Sequence, residues 1–184
     1  MTTGKRKQST LAALLEEKPR RGRPRRLVSR QNVYIALSEE EKQVVQHLSQ
    51  QLPNGFNRAD VPDLAITVLA TRLESLRRAV AGRTREIPEG ITDLDSLYIL
   101  WDLPAPTHDA QLNWTSIRVS PQQIIELGRV HGSLNALFGA TRSQVFSLGL
   151  SLLEQFLQNS KTLKTLKPSH SFEEFRIIVN SIYL

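Results

Sequence analysis

Asn32-Val33-Tyr34-Ile35-Ala36-Leu37 alternates without a break, with Val33, Ile35 and Leu37 on one face of an extended chain and Asn32, Tyr34 and Ala36 on the other. Successive side chains of a strand point to opposite faces, so this stretch reads as a strand with one face buried. Ser38 follows with Glu41 three residues on, the spacing of a capping box in which serine and glutamate each accept from a free amide at a helix start. The helix so opened carries Val44, Val45, Leu48 and Leu52 at helical spacing, and Pro53-Asn54-Gly55 breaks it. A second helix is expected from residues 57–60 to about residue 80, burying Val61, Leu64, Ala65, Val68, Leu69, Leu73 and Leu76. The order is strand, helix, turn, helix.

The same order returns beyond residue 112. Thr115, Ile117 and Val119 alternate with Trp114, Ser116 and Arg118, and Ser120-Pro121 supplies an N-cap with proline at the first helical position. Ile124, Ile125, Leu127 and Val130 mark the first helix of this copy, Leu137-Phe138-Gly139-Ala140 its turn, and Val145, Leu148, Leu152, Leu153 and Phe156 its second helix. Thr141-Arg142-Ser143-Gln144-Val145 occupies the place that Asn57-Arg58-Ala59-Asp60-Val61 holds in the first copy. The copies differ by a two-residue insertion between strand and turn. An internal repeat is the economical reading.

Both copies resemble the ribbon-helix-helix fold of the Arc and methionine-repressor superfamily, the second more closely, in its FGATRSQVFSLGL, residues 138–150. The resemblance implies a mainly α fold in which two units pair through a short two-stranded antiparallel ribbon that enters the major groove of DNA. Carried over residue by residue, it implies that Asn32, Tyr34 and Ala36 of one strand, and Trp114, Ser116 and Arg118 of the other, face the bases. It also implies that the second helices aim their N-terminal amides at phosphates, a role that falls here on Asn57 and Arg58 and on Thr141, Arg142 and Ser143. Arg118 is suited to grip guanine O6 and N7 with both guanidinium ends, and Ser116 can donate or accept. Pro62 departs from the pattern, since it removes an amide early in the second helix of the first copy and moves that helix start to about Asp60.

A single unit cannot bury both faces of its helices, and its strand needs a partner, so one copy alone is not expected to be stable. Pairing within one chain, as a pseudo-dimer, and pairing between chains are both open. Pairing within the chain would present two different strands to DNA and favour an asymmetric site.

The net charge of +6 is unevenly distributed. Residues 1–31 hold ten Lys and Arg against two Glu, a net +8, and the rest of the chain is slightly acidic. Such a block has no core-forming pattern and is expected to be disordered until it meets a polyanion. Within it KPRRGRPRR, residues 18–26, resembles the AT-hook, a short motif of DNA-associated proteins. Its Gly22 lets the backbone approach a groove floor, Pro24 keeps the chain extended, and Arg21 and Arg23 suit the negative potential of a narrow A·T-rich minor groove. Arg25, Arg26 and Arg30 extend the basic run to the first strand.

The 184 residues are 40% hydrophobic, the composition of a folded chain, and no run approaches the roughly 20 apolar residues that span a bilayer. A soluble, cytoplasmic, nucleoid-associated protein is expected, with no membrane partner. Cysteine is absent, so disulfides and thiol nucleophiles are excluded, and His47, His108, His131 and His170 lack metal-ligand spacing. No phosphate loop or nucleophile elbow is present. Asp93 and Asp95 are more simply helix-start groups than a catalytic pair. The expectation is a DNA-binding protein without catalytic residues, cofactor or metal.

The organisation expected is a basic arm over 1–31, a first unit over 32–81, a connecting segment over 82–112, a second unit over 113–160 and an apolar extension over 161–184. Leu94, Leu97, Tyr98 and Trp101 predict one short helix in the connecting segment. The extension holds Phe172, Phe175, Ile177, Ile178, Val179, Ile182 and Tyr183, a density that needs cover. It is expected to complete the fold, to join copies along DNA, or to meet a protein partner.

Overall fold

The alternation at the first strand and its repeat are the two halves of one ladder. In the computed structural model, which describes residues 29–53, 55–81, 88, 90–107, 110–159 and 171–184, β1 (Gln31–Leu37) and β2 (Asn113–Val119) pair antiparallel within the single chain. The register sets Asn32 opposite Arg118, Tyr34 opposite Ser116 and Ala36 opposite Trp114. Val33, Ile35, Leu37 and Val119 are buried beneath the ribbon, with Ile117 packed against them. Each strand begins one residue before its strict alternation.

The register carries the internal symmetry. If Leu37 of β1 is matched to Val119 of β2, Tyr34 and Ser116 are counterparts, and they are also the residues that face each other. A pseudo-twofold axis therefore passes between them. The rest of the molecule follows it: α1 (Glu39–Gln51) and α2 (Val61–Ala79) follow β1, whereas α4 (Pro121–Phe138) and α5 (Arg142–Asn159) follow β2. A 3-10 turn, Arg58–Asp60, leads into α2, so the α-helix starts at Val61, with Pro62 in its first turn where no amide partner is needed.

The two second helices cross near the same axis. A Cβ on Gly149 would lie 3.2 Å from the carbonyl oxygen of its counterpart Ala65, so a small residue in α5 is what lets the backbones approach. Around that crossing Leu64, Val68, Leu69, Leu148, Leu152 and Leu153 are shut off from water, and residues 61–71 of α2 are buried on every side. Truncating one such leucine to alanine costs about 2–5 kcal/mol. Both units thus share one core.

The covering is not symmetric. The connecting segment forms α3 (Leu94–Leu100), opened by Asp93, whose carboxylate accepts from the Ser96 amide at 2.8 Å. Its Leu97 and Tyr98, with Trp101 and Leu103 beyond, are buried, and Gln155 of α5 donates to the Trp101 carbonyl at 2.7 Å. Burial pushes the Tyr98 phenol far above its ordinary range, with Glu41 and Asp95 adding to the effect. The extension forms α6 (Phe172–Tyr183), which is opened by a second capping box, Ser171 with Glu174. Phe175 enters the core edge-on to Phe56 and Phe156, with ring centroids 6.0 and 5.5 Å away. Arg72 of α2 lies over the rings of Trp101 and Tyr183, at 5.3 and 4.6 Å, and so joins both coverings to the centre.

Three details go beyond what the periodicity states. Ile125 is exposed, because α4 turns its Leu127 and Val130 stripe inward and leaves Ile125 on the far face. Ser120 stands at the N-cap of α4, but its hydroxyl makes no cap bond. Of the apolar residues of α6, only Phe175 and Val179 are fully buried, and Ile177 and Ile182 face outward.

Among the described residues no helix is long and apolar enough to cross a membrane. The AT-hook-like residues Arg21, Gly22, Arg23, Pro24, Arg25 and Arg26 lie outside the described residues.

Candidate nucleic-acid interface

The outer face of the ribbon is polar by the arithmetic of the pleat. With Val33, Ile35 and Leu37 held inward, Asn32, Tyr34 and Ala36 can only project outward, and the antiparallel partner sets Arg118, Ser116 and Trp114 beside them. Asn32, Ser116 and Arg118 are exposed, Tyr34 is 67% and Trp114 79% exposed, and Ala36 is half-buried. Leaving a tyrosine and a tryptophan bare at the centre and one end of a sheet forgoes the burial that such side chains normally find.

Across its short direction the ribbon is about 5 Å between strands, to which side chains add. A B-DNA major groove about 12 Å wide admits such a two-stranded ribbon. Asn32 and Arg118, side by side, bring an amide that suits adenine N6 and N7 next to a guanidinium that suits guanine O6 and N7. Ala36 and Trp114, at the other end, offer apolar surface of the kind that meets a thymine methyl.

Each second helix begins beside an end of the ribbon. At the start of α5 the Ser143 hydroxyl accepts the Ala36 amide at 2.8 Å, which fixes that helix start against β1. Ser143 is therefore half-buried and turned to the ribbon, whereas Thr141 and Arg142 are exposed. At the opposite end the 3-10 turn exposes Asn57 and Arg58. The two starts are built alike. The Asn57 amide donates to Asp60 and the Thr141 amide donates to Gln144, at 2.7 and 2.9 Å, and Asn57 in turn accepts from the Ala59 amide at 3.0 Å. Arg58 and Arg142 are counterparts under the pseudo-twofold, and among the described residues neither they nor Arg118 holds a carboxylate.

Arg30 is placed differently from its expected role. It is half-buried, donates to the Ala59 carbonyl and to Asp60, and lies 3.2 Å from the Asp63 carboxylate. It anchors the chain where β1 begins instead of projecting toward a ligand. No local signal marks such an anchor, because Asp60 and Asp63 lie 30 and 33 residues further along the chain. Asp63 itself is buried and accepts the Ser120 amide at 3.0 Å. Burial outweighs the lowering influence of Ser120 and Arg30 and raises its pKa above the usual carboxylate range.

The charge around the ribbon is lopsided. Past Leu37 and Ser38 at one end come Glu39, Glu40 and Glu41, whereas past Val119 and Ser120 at the other come Pro121, Gln122 and Gln123. This difference between counterparts was open to sequence reasoning but acquires meaning only once the strands are known to be antiparallel. Among the described residues no group of three or more His, Asp or Glu is arranged to hold a metal ion. No family model, no curated protein and no solved structure matches this chain.

Proposed function

We propose that this protein binds double-stranded DNA with sequence preference, in the manner of ribbon-helix-helix proteins, as a transcriptional regulator or as a plasmid partition or relaxosome accessory factor. The ribbon's outer face meets base edges in the major groove, Arg58 and Arg142 meet phosphates on either side, and the arm's Arg21 and Arg23 enter an adjacent minor groove. The observation that carries the reading is a two-stranded ribbon of groove width whose exposed face bears Asn32, Tyr34, Ser116 and Arg118, flanked by two symmetry-matched arginines at helix starts. An ordinary edge strand also turns polar residues to water. It does not require a Tyr, a Trp and an Arg exposed together on one face between two helix starts.

A role as an antitoxin-like module, with residues 161–184 given over to a protein partner, has less support, because Phe175 and Val179 are spent on this chain's own core. A purely architectural protein coating A·T-rich DNA would have no use for Arg118 beside Asn32.

The test is selection of bound duplexes from a random pool by the full chain at fixed physiological salt, followed by affinity measurements on the selected and on scrambled duplexes. A recurrent sequence is expected, and Arg118→Ala is expected to weaken binding to it by about 1–3 kcal/mol while leaving scrambled DNA nearly unchanged. Failure to enrich any sequence, or an equal loss on every duplex from Arg118→Ala, would overturn the assignment.

A further inference from the structure

We infer that the cavity between α2, α4 and α6 binds a small zwitterion of the size and charge of a free amino acid, with its ammonium group on α2 and α4 and its carboxylate on α6. The site is independent of what the ribbon binds, since none of its lining residues lies on either strand.

The cavity, about 170 Å³, lies where α6 closes over the first turns of α4 and the middle of α2. Drug-sized ligands occupy about 300–1,000 Å³, so this one suits a molecule of fewer atoms. Its floor is polar, where a helix covering a core ordinarily meets apolar side chains. Of the five polar or charged residues buried among the described residues, three line it: Gln123, Thr67 and Thr71, at 4, 5 and 7% exposure.

Hydrogen bonding gives this wall its sign. The Thr67 hydroxyl donates to the Asp63 carbonyl at 2.8 Å and the Thr71 hydroxyl donates to Asn180 Oδ1 at 3.2 Å, so each has only lone pairs left to offer a ligand. Gln123 Oε1 is buried and accepts from no group among the described residues. In the first unit its counterpart Glu41 uses both oxygens, one on the Ser38 amide and one on the Ser147 hydroxyl. In the second unit Asp63 takes the Ser120 amide, which leaves the Gln123 carboxamide without that structural task. A buried acceptor without a donor is costly, and three acceptors on one wall match the N–H groups of an ammonium ion. Glu74 and Glu126, on the same two helices, add charge of the favourable sign.

The facing wall has the opposite character. Arg176 and Asn180 stand one turn apart on the same face of α6, and both line the cavity. With its Oδ1 taken by Thr71, Asn180 offers the two hydrogens of its Nδ2, and the half-exposed Arg176, 2.7 Å from Glu173, has further N–H groups suited to a carboxylate. Arg129, on the acceptor side, is held by Glu126 at 3.0 Å. Acceptors facing donors across so small a space fit a molecule that carries both charges better than a simple amine or a simple acid.

The experiment titrates the full chain with the free proteinogenic amino acids one at a time, and with n-propylammonium chloride and sodium propionate as single-charge analogues, at matched ionic strength. Calorimetric binding is expected for at least one amino acid, about tenfold or more tighter than for either analogue. Gln123→Leu keeps the bulk and removes the acceptor, and is expected to lose at least about tenfold in affinity while its thermal midpoint without ligand is unchanged or raised. Arg176→Ala changes an exposed pair with little effect on folding, and is expected to lose affinity to a similar extent, which keeps the test decisive if Gln123→Leu does not fold. Absence of binding by every amino acid at millimolar concentration, equal binding of a single-charge analogue, or full affinity in either folded variant overturns the site.

Discussion

The two units are the same design closed in two different ways. In the first, Ser38 caps α1 with a capping box: its hydroxyl accepts the Glu41 amide at 3.1 Å and its own amide donates to Glu41 at 2.7 Å. The Glu41 carboxylate also takes the hydroxyl of Ser147 on α5, across the pseudo-twofold. In the second unit the counterpart of Glu41 is Gln123, which is buried and whose Oε1 has no partner among the described residues. The Ser120 amide turns instead to Asp63 on α2, the counterpart of Ser147. Each helix start is thus stitched to the opposite unit, with the carboxylate supplied by the first helix in one half and by the second helix in the other. The carboxylate moved; the need for an acceptor at that amide did not. Where the carboxylate sits on α2 it can also hold Arg30, so the change of design anchors the arm in one half only.

If the units are halves of one core, counterpart truncations should be equally costly. Leu64→Ala and Leu148→Ala are each expected to destabilise by about 2–5 kcal/mol and to move a single urea transition seen alike by far-ultraviolet dichroism and tryptophan fluorescence. Two separable transitions would break the comparison, because they would show units that fold independently.

The caps sharpen it. Ser38→Ala should cost about 1 kcal/mol, since it removes a side-chain acceptor from a helix start. Ser120→Ala should cost only a few tenths by the same measure, because its hydroxyl makes no cap bond and its amide stays on Asp63. Equal losses in urea midpoint would mean that Asp63 is not the effective cap.

The smallest effect is a pH dependence. In the unfolded chain Asp63 titrates near the ordinary value of about 3.9, whereas burial raises it in the folded protein. Between those values the folded state keeps a proton that the unfolded state has lost, so this group's contribution to stability falls as pH rises through that window. Relative to Asp63→Asn, the wild type should therefore gain stability on acidification from neutral pH toward pH 4. A relative loss would mean that the ion pair with Arg30 outweighs burial.

Local signals were legible because they are properties of neighbours in the chain. Period-two alternation marked both strands, Ser38 with Glu41 marked a capped helix, and Gly139, with φ +68 after α4, marked a turn that a residue without a Cβ makes freely. The outward positions of Asn32, Tyr34, Ser116 and Arg118 followed from the alternation alone, since burial of one face determines the other. The basic character of the arm was equally a matter of composition.

What only the tertiary structure decided is everything that depends on which segment meets which. Pairing within the chain, the register that sets Asn32 beside Arg118, and the close crossing of Gly149 on Ala65 are long-range choices, made by the fit of a shared core that no local window contains. The same holds for Arg30. In sequence it continues a basic run, and only the approach of α2 to the start of β1 surrounds it with Asp60, Asp63 and the Ala59 carbonyl and turns a presumed ligand contact into an anchor. An isolated charge is worth little in water, and its role is set by the partners that folding brings within a few ångströms.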